Sequence, residues 1–302
     1  MKIFVTGVAG QVGHDVMAEL LRRGHVGVGS DLLERFSGDD EMAAAMSYCA
    51  MDITDAQAVE RTLSEIQPDA VIHCAAWTAV DLAEDEDKRD KVDQINAKGP
   101  ENIARCCQRL GCKMMQISTD YVFSGQGTEP WKPDCQDFAP LSVYAASKLA
   151  GEQAVSRLMS RYFIVRIAWL FGSKGQNFVR TMLNLSNKYD SIRVVNDQIG
   201  TPTYSSDLAR LLVDMIETDR YGYYHASNEG GYISWYDFAC EIFRQAGQAT
   251  KVIPVSTEEY GLSKAVRPLN SRLDKRKLTE NGFEPLPDWH DALRRYLNTI
   301  EK

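Results

Sequence analysis

Basic charge is in short supply in this chain of 302 residues. Its 34 Lys and Arg stand against 42 Asp and Glu, a formal net charge of −8. A surface built to hold nucleic acid needs the opposite balance, so no nucleic-acid partner is expected. Long apolar runs are missing as well. No stretch approaches the roughly 18–20 residues of a membrane span, and no membrane partner is expected. The opening MKIFVTGVAG puts glycines where a secretory leader would carry its apolar stretch, which makes the expected location cytoplasmic. Cysteine occurs seven times, an odd number, with no C-x-x-C pair and with Cys106 and Cys107 adjacent. Reduced, partly buried thiols are the simplest reading. The five histidines (His14, His25, His73, His225 and His290) are scattered, and none pairs with another His or Cys at ligand spacing, so no metal is expected.

What is there is a globular composition, 44% hydrophobic and 25% charged, which argues against disorder. A chain of this length buries its own core, as one large domain or two unequal ones. Short apolar strands are predicted at 2–6, 26–30, 49–53, 70–76, 113–118 and 162–168. Between them lie helical patterns. Val12, Val16, Leu20 and Leu21 recur at helical spacing over 11–23. A second helix, capped by Thr54 or Asp55, runs to Ile66 and is stopped by Pro68; a polar helix spans the DEDKRD region and continues through Asn96 to Leu110. Strand alternating with helix predicts an α/β fold: a parallel sheet with helices on both faces and right-handed crossovers. Ligands of such sheets bind beyond the carboxyl ends of the strands. Past residue 172 the rhythm loosens into helices at 176–188, 205–218, 234–246 and 288–300 and short strands at 192–195, 222–226 and 251–255, the pattern of a smaller C-terminal lobe.

The first predicted strand runs directly into Gly7-Val8-Ala9-Gly10-Gln11-Val12-Gly13 and then into a helix. Glycine allows the tight turn and lets the backbone approach a pyrophosphate, while the helix start offers free N–H groups and its positive end. The alternative is a tight turn with close helix packing and no ligand. Asp31, closing the second strand, suits the adenosine ribose hydroxyls and so NAD over NADP. Arg35 nearby could instead hold a 2′-phosphate, and Asp31 could simply cap a turn. Asp52 and Ile53 after the third strand suit the adenine edge, and Ala75 and Ala76 after the fourth are small where a cofactor would pass.

The segment YAASKLAGE sets Tyr144 four residues before Lys148 among strong helix formers, hence on one helix face. An ammonium beside a phenol lowers the phenol's pKa and makes it a usable proton donor and acceptor. Alone, such a pair is ordinary helix surface. Behind a glycine loop and the Ser118-Thr119-Asp120 cluster at the end of the fifth strand, it forms a plausible acid–base set with Thr119.

These residues resemble the extended short-chain dehydrogenase/reductase family, and the fuller pattern is similar to its dTDP-4-dehydrorhamnose reductase branch. The resemblance covers nearly the whole chain: GVAGQVG, AAWTAVDLAE, INAKGPENIA, STDYVFSG, PLSVYAASKLAGE, RIAWLFG, NDQIGTPT and RPLNSRLD. It implies a Rossmann-type doubly wound domain over 1–172 and a lobe over 173–302 that mainly binds a nucleotide sugar, with some segments returning to the first domain. It implies NADPH or NADH as cofactor, with Gly7, Gly10, Gln11, Val12, Gly13, Asp31, Asp52, Ile53, Ala75, Ala76, Thr78, Tyr144 and Lys148 around it. The implied reaction is reduction of the C4 ketone of a dTDP-4-dehydro-6-deoxy sugar, with Tyr144 as proton donor, Lys148 lowering its pKa, and Thr119 on the carbonyl. Asn96 matches a residue of structural or proton-relay role. Substrate contacts are implied for Thr119, Asp120, Trp169, Asn177, Gln198, Thr203 and Arg267, the last on the diphosphate. Trp169 could equally be packing, Arg267 a surface ion pair, and the 196–203 loop a mere turn. Ala145 and Trp77 depart from the branch, where glycine and a smaller aromatic are usual. The resemblance leaves a homodimer open. It also extends to a non-catalytic regulatory subunit of methionine adenosyltransferase in animals, from which the Thr119–Tyr144–Lys148 set sets this chain apart; another nucleotide-sugar reductase or epimerase is the remaining alternative.

Overall fold

In β1 (Lys2–Thr6) the residues Ile3, Phe4 and Val5 are wholly buried, the condition of a strand covered on both faces. The computed structural model describes residues 1–36 and 40–300. Its main sheet has seven strands in the order Gly222–Ala226, β6 (Tyr162–Ile167), β5 (Lys113–Thr119), β4 (Ala70–His73), β1, β2 (Val26–Asp31) and β3 (Ser47–Ala50). Every neighbouring pair is parallel. The order reverses beside β1, as in a Rossmann-type doubly wound sheet.

Helices α1 (Gln11–Arg22), α2 (Asp40–Ala45), α3 (Ala56–Ile66), α4 (Arg89–Asp93), α5 (Gly99–Leu110) and α6 (Val143–Leu158) supply the crossovers. α3 is capped by Asp55, whose carboxylate accepts from the N–H groups of Gln57 and Ala58 at 2.9 and 3.0 Å. β3 ends before the expected 49–53, because Asp52 takes the Thr54 N–H and hydroxyl, both at 2.8 Å, and turns the chain toward that cap. β4 likewise stops at His73. The expected polar helix is not continuous. A 3₁₀ turn (Leu82–Glu84) precedes α4, and a π turn (Gln94–Lys98) separates α4 from α5. Pro100 has no N–H to give the Asn96 carbonyl one turn back, and the ladder slips there.

Beyond β6 the chain pairs Leu170–Phe171 with Thr203–Tyr204. It then forms α7 (Phe178–Ser186), α8 (Ser205–Ile216) and α9 (Trp235–Gln245). α8 and the strand Gly222–Ala226 return to the main sheet, where Leu208, Leu212 and Met215 share a core with Val16, Met17 and Leu20 of α1. A separate core gathers Val179, Met182, Phe238, Ile242, Trp289 and Tyr296 from α7, α9 and the helix Trp289–Ile300. Beside it, Ser191–Val195 pairs in parallel with Lys251–Val255. Among the described residues no helix is long and apolar enough to cross a membrane, and no group of three or more His, Cys, Asp or Glu is placed to hold a metal. The seven cysteines carry no disulfide.

Candidate active site

A cavity of about 1130 Å³ opens along the carboxyl ends of β1, β2, β4, β5 and β6. The glycine loop forms one end of it. Gly7 has φ +72°, and a Cβ there would lie 2.6 Å from the Ala75 nitrogen; a Cβ on Gly13 would lie 2.2 Å from the Gly7 carbonyl oxygen. Only glycine lets the loop press against the end of β4 and α1 press against the loop. Gly10 precedes α1 with no capping side chain, and the first turn holds no acidic residue. The amide groups of that turn therefore face the cavity without an internal anion, which fits a pyrophosphate. Asp31 accepts from the Ala9 N–H at 3.0 Å and the Leu32 N–H at 2.8 Å, so its carboxylate is fixed between β2 and the loop. Gln11, Val12, Asp52, Ile53, Ala75, Ala76 and Thr78 line the same space, whereas Arg35 is exposed and does not.

At the other end stand Thr119, Asp120, Tyr144, Lys148, Trp169 and Arg267, all of them lining the cavity. Ser142 caps α6 by accepting the Ala145 N–H at 3.2 Å, and Glu84 accepts the Val143 N–H at 2.8 Å. These two contacts fix the helix start that presents Tyr144. Burial pushes the Tyr144 phenol well above its usual value, and the neighbouring Thr119 hydroxyl opposes the rise. The shift of this phenol comes from burial, Thr119 and Asp120, with no part assigned to Lys148. The Lys148 ammonium instead donates to the Ile117 carbonyl at 2.7 Å, and burial brings its pKa down to about 8 against the pull of Glu152. Asp120 is buried, and that raises its carboxyl to about 6. One oxygen accepts from the Thr119 hydroxyl at 3.1 Å, and Ser271 and Thr119 both oppose the rise.

Three expected substrate contacts are turned away from the cavity. Asn177 caps α7 through the Arg180 N–H and gives its amide to the Gly172 carbonyl, the Tyr296 hydroxyl and Gln11. Gln198 donates to the Thr257 hydroxyl at 3.0 Å. Thr203 donates through its hydroxyl to the Ala168 carbonyl at 2.5 Å and through its N–H to the Trp169 carbonyl at 3.1 Å. The 196–203 loop thus stands behind Trp169. A Cβ on Gly200 would lie 2.9 Å from the indole, and Trp169 takes a left-handed backbone with φ +51°. Its ring stacks on Trp235 at 3.8 Å. Trp235 and Tyr121 also line the cavity, Tyr121 edge-on to Tyr144 at 5.7 Å. Adjacency to Asp120 was a signal for Tyr121; nothing in the sequence pointed to Trp235. Arg267 is paired with Asp81 at 2.7 and 3.1 Å, and Asp81 is thereby held below the usual carboxylate range. Asn96 bridges the backbone of Trp77 from both sides and donates to the Ser147 hydroxyl at 3.1 Å, so it ties the 77 loop to α6.

The chain is similar to known proteins over its whole length. The spore coat polysaccharide biosynthesis protein SpsK of Bacillus subtilis is 38% identical over 296 residues, 98% of this chain and 96% of that protein. The crystal structure of a dTDP-4-dehydrorhamnose reductase from Clostridium acetobutylicum matches with TM-score 0.90 and 38% identity, covering 100% of both chains. That of the dTDP-4-dehydrorhamnose reductase from Bacillus anthracis in complex with NADP matches with TM-score 0.87 and 40% identity, covering 100% of this chain and 99% of that one. The family model described as the RmlD substrate binding domain matches residues 1–302, and the chain belongs to that family.

Proposed function

We propose that this chain is a cytoplasmic NAD(P)H-dependent reductase of the C4 ketone of a dTDP-4-dehydro-6-deoxy sugar, turning dTDP-4-dehydrorhamnose into dTDP-L-rhamnose. One observation carries the reading: Thr119, Tyr144 and Lys148 line the same cavity as an uncapped helix start behind a glycine loop. The relatives named as dTDP-4-dehydrorhamnose reductases, one of them with NADP, supply the substrate and cofactor class. Gly7, Gly10, Gln11, Val12 and Gly13 would hold the pyrophosphate, Asp31 the adenosine ribose, and Tyr144 and Lys148 the nicotinamide ribose. The reduced nicotinamide supplies the hydride. Thr119 would donate a hydrogen bond to the C4 oxygen, and Tyr144 would give that oxygen its proton. A phenol kept protonated by burial is the state a reduction needs at its start. Arg267 would meet the diphosphate, and Trp169, backed by Trp235, would face the sugar. Residues 1–172 then hold mainly the dinucleotide and 173–302 mainly the nucleotide sugar, with 205–226 returning to the main sheet.

The test is oxidation of NADH and of NADPH by purified protein with dTDP-4-dehydro-6-deoxy-L-mannose. Tyr144→Phe should lower turnover by about 10²–10⁴-fold while both cofactors still bind. Wild-type protein that binds the dinucleotide but consumes none would sink the reading.

A further inference from the structure

Behind the cavity, Glu152 and Arg166 are both wholly buried, and nothing in the reaction above uses them. Glu152 follows Lys148 by one helical turn on α6, as Lys148 follows Tyr144, so the three share a face. Arg166, on β6, grips the Glu152 carboxylate with a fork: Nε to Oε1 at 2.9 Å and Nη2 to Oε2 at 2.7 Å. Its third arm donates to the Pro133 carbonyl at 3.0 Å and to His225 Nε2 at 3.4 Å. His225 Nδ1 lies 3.0 Å from the Trp131 carbonyl, which sets its proton on Nδ1 and leaves Nε2 to accept. The rings of Phe123, Phe138 and Tyr223 close around the guanidinium. A buried ion pair is a weak source of stability, since apolar side chains of the same volume do as well or better. The charges invite another explanation.

The groups facing Lys148 supply it. Its own helix presents Tyr144 and Glu152; the end of β4 presents His73 and Cys74; β5 presents the Ile117 carbonyl. Asp120, just past β5, acts on Tyr144, and Glu84 is engaged at the start of α6. Burial brings His73 down to about 3 and Cys74 up to about 12, so both are neutral at physiological pH. Among the groups on these elements, Glu152 is the carboxylate one helical turn from the buried ammonium, and its charge opposes the effect of burial there.

We infer that Glu152, held by Arg166, is a positioning residue for Lys148: it holds a carboxylate one helical turn from the buried ammonium and fixes the helix face that presents Lys148 and Tyr144 to the cavity. The kinetic consequence rests on the reductase reading; the titration of Lys148 does not.

The experiment follows the Lys148 Nζ resonance in ¹⁵N-lysine-labelled protein, assigned by its loss in Lys148→Met, and in parallel the pH profile of kcat/KM. In Glu152→Gln the Lys148 midpoint should fall by about one pH unit or more, and the alkaline limb of the profile should move down with it. Glu152→Asp keeps the charge but withdraws it by one methylene, and should give a smaller shift in the same direction. It also serves as the decisive variant if the glutamine protein does not fold. A folded variant whose midpoint stays at the wild-type value, or one that merely loses activity equally at every pH, overturns the inference. Wild-type protein that reduces no nucleotide sugar refutes the reductase reading, and the titration still decides the role of Glu152.

Discussion

Tyr144 and Lys148 share a helix face, yet their surroundings act on them separately. Helix periodicity was enough to put both side chains on one helix face. It said nothing of burial, and burial is the first cause of the rise at Tyr144 and of the fall at Lys148. Local sequence cannot supply that quantity, because the atoms that displace water come from strands and turns far along the chain. Asp31 is the opposite case. A short acidic residue closing the second strand was readable, and its carboxylate does sit against the glycine loop. Asp31→Ala should weaken NADH about tenfold while affecting NADPH less, by loss of charge-assisted hydrogen bonds to the ribose. Fluorescence titration of each cofactor measures this, and an unchanged ratio would remove Asp31 from the ribose.

Elements with strong periodicity were legible, α1, α3, α8 and α9 among them, and some ends moved where a side chain competed with the backbone. Asp52 shortened the third strand in this way. The π turn before α5 depends on Pro100, visible in the sequence, but also on the close approach of α6. A Cβ on Gly151 would lie 2.3 Å from the Asn96 carbonyl oxygen, a fact of packing alone. The 196–203 loop shows the same limit. Its polar residues suggested substrate contacts, but Gln198 and Thr203 spend their hydrogen bonds on Thr257 and Ala168. Thr203 acts through Trp169, whose left-handed backbone it holds. Thr203→Val preserves shape but removes the hydroxyl. It should cost about 1 kcal/mol of stability in chemical denaturation and raise the KM for the nucleotide sugar without changing cofactor affinity. An unaltered KM would mean that Trp169 keeps its place without this bond.

For the molecule as a whole, the cavity is closed by segments that meet only in the folded chain. Arg267 reaches it from the C-terminal part and is held there by Asp81, which also accepts the Ala265 N–H at 3.0 Å, while Lys264 pairs with Asp85 at 2.7 Å. The 264–267 segment is thereby strapped to the 81–85 turn. Arg267→Ala should raise the KM for the nucleotide sugar about tenfold or more, as loss of a guanidinium–phosphate contact does, with little effect on kcat. Steady-state kinetics at saturating cofactor would test it, and an unchanged KM would confine Arg267 to the strap.

By itself the sequence determined the alternation of strands and helices, the glycine loop, the acidic end of the second strand and the helical spacing of Tyr144 and Lys148. Each of these is a local matter of periodicity, capping or backbone freedom. Only the tertiary structure decided that the strand Gly222–Ala226 joins β6 in the main sheet, that Trp235 backs Trp169, that Asn177, Gln198 and Thr203 turn inward, and that Glu152 meets Arg166 behind Lys148. Those outcomes follow from contacts between distant segments, where removal of apolar surface and pairing of buried polar groups select one arrangement among many that the local pattern allows.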